Sequence, residues 1–261
     1  MQRLLRQAVA LAAVGLLFAL AAGTSQAATP APRLLAMYQP VLHFDPLEKF
    51  RPASVVHRRR VAQDGDHTVL QYWLFYYDDV YSYAYPPSNF IWQAHEGDWE
   101  VVNVVLDENE HPISSAYSQH CLGQTRGWAN TPKVGDTHPV VYVALGSHAN
   151  YFTVGTHPIN PVCVPPAALA ILNGMGLPPP ADHVLEGPVI GPAGVDGPAT
   201  PVHMIGDDTP WVSFDGYWGE LQYFHAPAPI NTVPFGTSPI GPAQHQVWIH
   251  PLATIGTWAS S

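Results

Sequence analysis

The fold is decided by two stretches of sequence, TVLQYWLFYY at residues 68–77 and DWEVVNVVL at residues 98–106. Both are rich in β-branched and aromatic residues, which suit the pleated surface of a sheet. The polar run Asp107–Glu110 follows the second stretch and precedes another strand-like segment, Pro112–His120. We therefore predict three strands, the last two joined as a hairpin through a polar turn.

Three more segments, further from this centre, have the composition of strands. Met37–Phe44 is interrupted by Pro40, which predicts a strand at the edge of a sheet. Val140–Leu145 is an unbroken apolar run, which predicts a strand buried on both faces, and Trp211–Phe224 is again aromatic and strand-like. The prediction is an all-β fold, a single β-sandwich domain over residues 37–261, with long Pro- and Gly-rich loops and few short helices.

One region of this domain has a different composition. Residues 158–202 are rich in Pro and Gly, and their one helical candidate is Ala167–Asn173. Because the region lacks a core of its own, we predict an ordered insertion into the sandwich and not a second domain. The whole chain contains 28 Pro and 21 Gly with only 11% charged residues, which favours a loop-rich β architecture over a helical bundle.

The N-terminus has the features of a secretion signal. Arg3 and Arg6 precede an uncharged apolar run over residues 8–22, and Ser25 and Ala27 supply the small residues of a signal-peptidase site. The apolar run is shorter than the roughly 20 residues that a membrane-spanning helix needs. We therefore interpret this segment as a cleaved signal and not as a membrane anchor, and we predict no transmembrane segment.

The predicted processing has consequences for the mature chain. We predict a signal peptide over residues 1–27 with cleavage before Ala28, a flexible leader over residues 28–36, and a secreted or periplasmic location. Cys121 and Cys163 are the two cysteines of the chain. In an exported protein such a pair suggests a disulfide, with two buried free thiols as the alternative.

The charge of the chain argues against one class of partner. The sequence has 10 Lys and Arg against 20 Asp and Glu, for a formal net charge of −10. A surface of this sign repels a phosphate backbone. We therefore predict no nucleic-acid partner.

Candidate functional chemistry is concentrated in the hexapeptide HEGDWE, which begins at His95. Side chains alternate between the two faces of a strand, so Asp98 and Glu100 should project from one face and Trp99 from the other. Gly97 permits a bend that would bring His95 back over the two carboxylates. Such a set suits a divalent cation, and its oxygen-rich character favours Ca²⁺ or Mg²⁺ over Mn²⁺ or Zn²⁺.

Four further side chains at predicted strand ends are candidates for the same site. Asp78 and Asp79 end the aromatic strand, and His120 and His148 end later segments. The aspartates would complete the set of metal ligands, and the histidines would line the pocket or orient ligands from behind. In the alternative interpretation, the carboxylates cap loops or pair with Arg, and each histidine is structural.

Several of these segments together resemble the vacuolar protein sorting-associated protein 62 family. The resemblance is carried by HEGDWE and by YQPVLHFDPLEKFRP at 38–52, LQYWLFYYDD at 70–79, YSQH at 117–120, PVVYVALGSHANY at 139–151 and the Trp-Gly pair at 218–219. It extends from about Tyr38 to Tyr223. The resemblance therefore covers most of the chain that follows the predicted signal.

A second resemblance is to the necrosis-inducing toxins, which are secreted β-sandwich proteins. Their hallmark heptapeptide, Gly-His-Arg-His-Asp-Trp-Glu, lines a divalent-cation pocket that meets sphingolipid head groups. The resemblance implies three metal ligands: His95, Asp98 and Glu100. It also implies that Trp99 is a packing residue and that Asp78 or Asp79 completes the site.

The present sequence departs from that heptapeptide at three positions. Ala94 replaces the leading Gly, Glu96 replaces the Arg, and Gly97 replaces the second His. The ligand positions themselves are matched in residue type. The resemblance thus implies a cation pocket without implying the same toxicity or lipid specificity.

One main hypothesis follows from these observations. The protein would be a secreted β-sandwich whose divalent-cation pocket recognises a polar head group of a glycan or lipid. Aromatic residues near the motif would form an apolar rim: Tyr81, Tyr83, Tyr85 and Trp92. The alternative is a metal-dependent hydrolase of phosphoesters or esters, with Glu96 or His148 as the general base. A third interpretation is that the motif only rigidifies the fold.

Overall fold

The computed structural model describes residues 30–49, 56–82, 91–220, 222–225 and 232–252. The predicted signal peptide and its cleavage point lie outside these residues. Within them strands predominate, so the all-β prediction is confirmed. The α-helices are few and short: α1 (Ala31–Met37), α2 (Pro166–Gly174) and α3 (Gln246–Ile249).

The larger sheet contains the two stretches that decide the fold. Its members are β2 (Val56–Asp64), β3 (His67–Ser82), β4 (Ile91–Leu106), β5 (Pro112–Gln119), β6 (Leu122–Gly127) and β13 (Val202–Met204). They lie in the order β13-β2-β3-β4-β5-β6. The predicted hairpin between β4 and β5 is confirmed, because Asp107 and His111 close the intervening turn by a backbone hydrogen bond.

A second sheet faces the first. It consists of β1 (Val41–Phe44), β7 (Lys133–Val134), β8 (His138–Val143), β9 (Asn150–Tyr151) and β12 (Val189–Ile190). β1 lies between β12 and β8 and is parallel to β8. Two antiparallel ribbons complete the strands: β10 (Gly155–Pro158) with β11 (Ala181–Val184), and β14 (Gln222–His225) with β15 (Thr232–Gly236).

The main core lies between the two sheets. Alternate residues of β3 and β4 enter it, among them Leu74 and Val102, and meet Phe44 and Val143 of the second sheet. All four side chains are buried. Burial of apolar area on this scale, at about 25 cal/mol per Å², is the main favourable contribution to folding.

The other face of the larger sheet is also covered. Trp73 and Trp99 project from it and pack against Val212, Val247 and Trp248, which come from the C-terminal third of the chain. This arrangement agrees with the prediction that Trp99 points away from Asp98 and Glu100. The six-stranded sheet is therefore the middle of three layers.

Two strand predictions and the leader prediction need correction. Pro40 ends the turn after α1, and the strand that follows, Val41–Phe44, is an inner strand and not an edge. The expected flexible leader overlaps α1, which begins at Ala31 and buries Leu34 and Leu35. Residues 211–220 of the segment Trp211–Phe224 form turns and bends, with Trp211 and Trp218 packed against the cluster that covers the sheet, and only the end of the segment is a strand, in β14.

The segment predicted as an insertion packs against the sandwich. Its α2 agrees with the helix predicted at Ala167–Asn173, and its residues also form β11 and β12. The disulfide between Cys121 and Cys163 is confirmed, with the two Cα atoms 5.4 Å apart. The bond ties the turn between β5 and β6 to the start of the insertion.

Candidate functional site

In the two central strands, β3 and β4, the alternation of side chains between the two faces of the sheet is interrupted at the same height in the sheet. Tyr76 lies opposite Asp98, and Asp79 lies opposite His95. In an uninterrupted strand, His95 and Asp98 would project from opposite faces, because they are three positions apart. Gly97 lies between them with φ of 67°, in the left-handed region. The expected bend is therefore present, and Asp79, His95 and Asp98 all line one cavity.

Because of the same interruption of the alternation, two candidate residues do not line this cavity. Asp78 and Glu96 line a separate cleft beside Trp218. A carboxylate oxygen of Glu96 accepts the backbone N–H of Glu220 at 2.8 Å. Asp79, and not Asp78, thus joins the predicted ligand set, and Glu96 is not placed to act as a general base there.

The cavity has a volume of about 450 Å³, and several ionisable side chains contribute to its lining. It is bordered by Asp79, His95, Asp98, Glu100 and His120, and by the Cys121–Cys163 disulfide. The three carboxylate residues are all buried. Burying a charge is unfavourable unless it is paired, so the partners of these groups decide what the cavity can do.

Asp79 and His95 form the first pair. His95 Nε2 lies 3.4 Å from Asp79 Oδ2, and His95 Nδ1–H donates to the carbonyl of Gly97 at 2.7 Å. Burial lowers the pKa of His95, but the hydrogen bond and charge of Asp79 outweigh it and raise that pKa to about 9. Burial also raises the pKa of Asp79 above its usual range.

Asp98 pairs with His148, which is fully buried. His148 Nδ1 lies 3.0 Å from Asp98 Oδ2, and its Nε2 lies 3.7 Å from a carboxylate oxygen of Glu48. The ring stacks on Tyr76, with centroids 3.9 Å apart and planes 2° from parallel. Burial lowers the pKa of His148, but Asp98 and Glu48 raise it to about 10. His148 is thus held between two carboxylates in a charged form.

Glu100 is the third carboxylate and has neutral partners. The hydroxyl of Ser118 donates to it in a short hydrogen bond, and the side-chain amide of Asn150 lies 3.4 Å from the same oxygen. Burial, followed by the nearby charge of Asp98, raises the pKa of Glu100 well above its usual range. Burial and the neighbouring carboxylate thus disfavour the charged form of Glu100.

A second cluster adjoins the cavity and is centred on Asp182. This fully buried carboxylate accepts hydrogen bonds from Ser147 at 2.6 Å, from Tyr151 at 2.5 Å and from His120 Nε2 at 2.6 Å. Burial alone would raise the pKa of Asp182, but His120 and the hydroxyl donors lower it. Asp182 thereby anchors His120 at the wall of the cavity.

Sequence reasoning did not identify Asp182 or Glu48. Asp182 has a usable signal, because no other Asp, Glu, Lys or Arg occurs between Asp136 and Glu186. An isolated charge in so long an uncharged stretch suggests a specific buried partner. Glu48 lies within the segment YQPVLHFDPLEKFRP, where nothing distinguishes it from an exposed loop residue.

The residues present fit a cation by their chemistry. Oxygen donors predominate, and Asp79 Oδ1 is buried with no hydrogen-bond partner among the described residues. Within the described ranges, no three His, Cys, Asp or Glu side chains stand close enough together to hold a metal ion. Each candidate ligand instead contacts a neighbouring side chain, so binding of a cation would replace these contacts with contacts to the cation.

The predicted aromatic rim is only partly described. Tyr81 is buried against Ile159 and Val164 of the insertion, so it does not form an exposed rim. Tyr83 and Tyr85 lie outside the described residues, and so does the side chain of Trp92. In the described parts of the chain, no helix is long and apolar enough to cross a membrane.

Fold and site together define a β-sandwich protein with a cavity lined by carboxylates and imidazoles. No protein-family model and no curated protein matches the sequence. The structural neighbours are toxin-fold proteins of the necrosis- and ethylene-inducing type. One of them is NLPPya in complex with mannosamine, with a TM-score of 0.37 and 15% identity; the match covers 46% of this chain and 66% of that chain. Another is Necrosis and Ethylene inducing Protein 2 from the causal agent of cocoa's Witches Broom disease, with a TM-score of 0.36 and 15% identity; the match covers 68% of this chain and 74% of that chain.

A third neighbour is the non-toxic HaNLP3 protein, at TM-score 0.34 and 14% identity over 42% of this chain and 61% of that chain. The present chain matches just under two thirds of the length of NLPPya. Similarity at this level carries no conclusion about activity. The function is therefore argued from the cavity alone.

Proposed function

We propose that the protein binds a polar head group, of a glycan or a lipid, in the cavity around Asp98, and that a divalent cation takes part in this binding. The observation that carries the proposal is that three buried carboxylates, Asp79, Asp98 and Glu100, line one cavity. Their mutual repulsion is relieved by a cation or by a ligand that donates several hydrogen bonds.

The cation would be held by His95 and the three carboxylates. Because oxygen donors outnumber the imidazole, Ca²⁺ or Mg²⁺ suits the set better than Mn²⁺ or Zn²⁺. When bound, the cation would supply electrostatic attraction for hydroxyl or phosphate oxygens of the head group. Asp79 Oδ1 has no hydrogen-bond partner among the described residues, so it can accept this contact without losing another.

The surrounding residues would keep the ligand set in position. His148 fixes one oxygen of Asp98, and Ser118 fixes one oxygen of Glu100. His120, held by Asp182, presents a donor at the cavity wall. Partners of this kind orient metal-binding carboxylates and limit their freedom.

Thermal unfolding tests the cation. We expect the melting temperature of the EDTA-treated protein to rise when Ca²⁺ or Mg²⁺ is added. At 100 times the dissociation constant the gain is about 2.7 kcal/mol, or roughly 5–10 °C for a chain of this size. Asp79→Asn, Asp98→Asn and Glu100→Gln should each lose this rise.

The neighbouring acidic residues provide matched controls. Asp78→Asn and Glu96→Gln make the same chemical changes one or a few residues away, but in the separate cleft, so they should keep the full rise. Binding to arrays of glycans and lipids, with cation and with EDTA, then identifies the head group. If no cation raises the melting temperature, the network of buried pairs is structural and the cation is dropped from the proposal.

A further inference from the structure

The cleft beside Trp218 combines carboxylates with aromatic rings. It has a volume of about 650 Å³. Its lining includes the carboxylates of Asp78 and Glu96 and the rings of Phe75, Tyr77 and Trp218. None of these residues lines the cavity that the proposed function uses. The cleft is therefore a separate feature of the molecule, with a chemistry of its own.

The two carboxylates of the cleft repel each other. Asp78 and Glu96 are direct partners in the pairing of β3 with β4, and like charges at such positions destabilise a sheet. Among the described residues, no Lys, Arg or His side chain forms a salt bridge with either of them. Burial and the charge of Glu96 raise the pKa of Asp78, and the nearby positive groups offset only part of this rise: His148, His95 and Lys49. A positively charged ligand would relieve the repulsion.

The loop that carries Trp218 fixes the orientation of Glu96. The backbone N–H of Glu220 donates to Oε2 of Glu96 at 2.8 Å. Gly219 lies so close to β4 that a Cβ atom built on it would be 2.5 Å from the carbonyl oxygen of Glu96. Within the described residues, Oε1 of Glu96 accepts no hydrogen bond. A ligand can therefore use this oxygen without breaking the contact that holds the side chain.

Three rings form an aromatic wall beside the carboxylates. Phe75 packs edge-on against Tyr77 and Trp218, with ring centroids 5.9 and 5.6 Å apart. Tyr77 is 55% exposed, so its ring is accessible from the cleft. The face of an aromatic ring attracts a cation that lies within about 6 Å of its centroid. A metal ion would need several oxygen ligands, whereas an organic cation uses both rings and carboxylates, so the wall indicates an organic cation.

The carboxylates narrow the class of organic cation. A primary ammonium group has three N–H donors, and its hydrogen bonds to carboxylates are stronger than bonds between neutral groups. A quaternary ammonium group has no donor and would leave the free oxygen of Glu96 without a hydrogen bond. The pair of acceptors thus suits a primary ammonium group.

We propose that the cleft beside Trp218 binds the protonated amino group of a small primary amine. The amino group lies between Asp78 and Glu96, and the carbon chain of the amine lies against Tyr77 and Trp218. This site is independent of the proposed head-group cavity and of its divalent cation.

Titration calorimetry with n-butylammonium chloride in 0.15 M NaCl tests the site. We expect saturable binding, with 1-butanol bound at least about tenfold more weakly, because it has a similar size but no charge. The double substitution Asp78→Asn with Glu96→Gln should weaken butylammonium binding by about tenfold or more. Tyr77→Leu should weaken it by about two- to fivefold, because one ring is removed and an apolar side chain is kept.

Two exposed carboxylates near Trp218 give the matched control. Asp215→Asn with Glu220→Gln removes the same charge from residues that do not line the cleft, and it should leave butylammonium binding unchanged. The melting temperature of the cleft double variant should not fall, because the change removes like-charge repulsion. This measurement verifies that a loss of binding is not a loss of folding.

Three results would each overturn the proposal: no saturable binding of butylammonium, equal binding of 1-butanol, or an equal loss in the control pair. Failure of the amine site leaves the rise in melting temperature with Ca²⁺ or Mg²⁺ intact. Conversely, a protein that binds no divalent cation should still bind butylammonium. The two proposals are therefore tested separately.

Discussion

Gly97 decides which side chains reach the cavity. Its φ of 67° brings His95 to the same side as Asp98, and a Cβ atom built there would lie 2.0 Å from the carbonyl oxygen of Trp218. A side chain is therefore excluded twice, by the backbone conformation and by space. Asp79 reaches the cavity at the same level of the neighbouring strand.

We predict that Gly97→Ala destabilises the fold by more than the roughly 1–2 kcal/mol of a left-handed alanine. The excess arises because the β-carbon meets backbone that cannot move freely. Gly65→Ala is the matched control, since Gly65 has φ of 59° with nothing within 4 Å of its Cβ position. Urea unfolding measures both, and equal losses would contradict the steric part of the argument.

At the scale of single residues, part of the site can be predicted from the sequence. Alternation along β4 correctly places Asp98 and Glu100 on one face and Trp99 on the other. The selection of Asp79 over Asp78 depends on a local change in the facing of β3, which residue spacing does not encode. Asp182 is brought to the cavity by a fold contact that joins residues far apart in the chain, so local sequence cannot show it.

The insertion contributes an ionisable side chain to the surroundings of the cavity. β11 delivers Asp182 to His120, Ser147 and Tyr151, and β10 pairs with β11 beside it. Burial lowers the pKa of His120, but Asp182 outweighs this and raises it. The pair therefore joins the insertion to the turn after β5 by a buried charge contact, in parallel with the disulfide.

We predict that Asp182→Asn destabilises the protein by about 3 kcal/mol, because it leaves His120 without its carboxylate. The raised pKa of His120 gives stability that is complete below about pH 6.5 and declines as pH rises through the folded-state pKa. The lowered pKa of Asp182 gives stability that is complete above about pH 4 and declines as pH falls through its folded-state pKa. The loss on substitution should thus be largest from about pH 4 to about pH 6.5.

Urea unfolding at pH 5 and at pH 9 measures this difference. Asp196→Asn is the control, because Asp196 is exposed in the same insertion. A loss that is the same at both pH values would mean that the hydroxyl donors, and not His120, account for the contribution of Asp182.

The sequence predicts strands correctly where a strand-like composition belongs to a segment that pairs within a sheet. The strands at 68–77, 98–106 and 112–120 pair with neighbours along the chain, so their composition is a sufficient guide. Trp211–Phe224 has a similar composition but covers a sheet, and composition does not separate these two uses of aromatic residues. Pro40 predicts an edge strand, but it precedes the strand and removes no donor from it.

The whole molecule depends on a third layer that has little regular structure. Trp248 packs on Trp73 with ring centroids 5.7 Å apart, and its indole N–H donates to Asp207 at 2.9 Å. The segment around Trp248 is thus part of the core. Because the larger sheet is covered on both faces, residues 72–76 of β3 and, apart from Asn103, residues 101–106 of β4 are apolar on both faces.

We predict that Trp248→Ala destabilises the protein by about 3–5 kcal/mol, the usual range for removal of a buried large aromatic. Ile249→Ala is the adjacent control and should change the free energy of unfolding by less than about 0.5 kcal/mol, because Ile249 is largely exposed. Thermal or urea unfolding separates the two outcomes. Similar small effects would show that the C-terminal layer is not part of the cooperative unit.

The Cys121–Cys163 disulfide makes the structure of the cavity depend on the redox state of its surroundings. One side of the cavity is closed by a covalent bond, and that bond persists only where thiols are oxidised. In a reducing cytoplasm the same polypeptide would keep its sheets but would hold the insertion against His120 by non-covalent contacts alone. The chain would therefore have its finished cavity only in an oxidising compartment, and a reduced copy would have a cavity with one loosened wall.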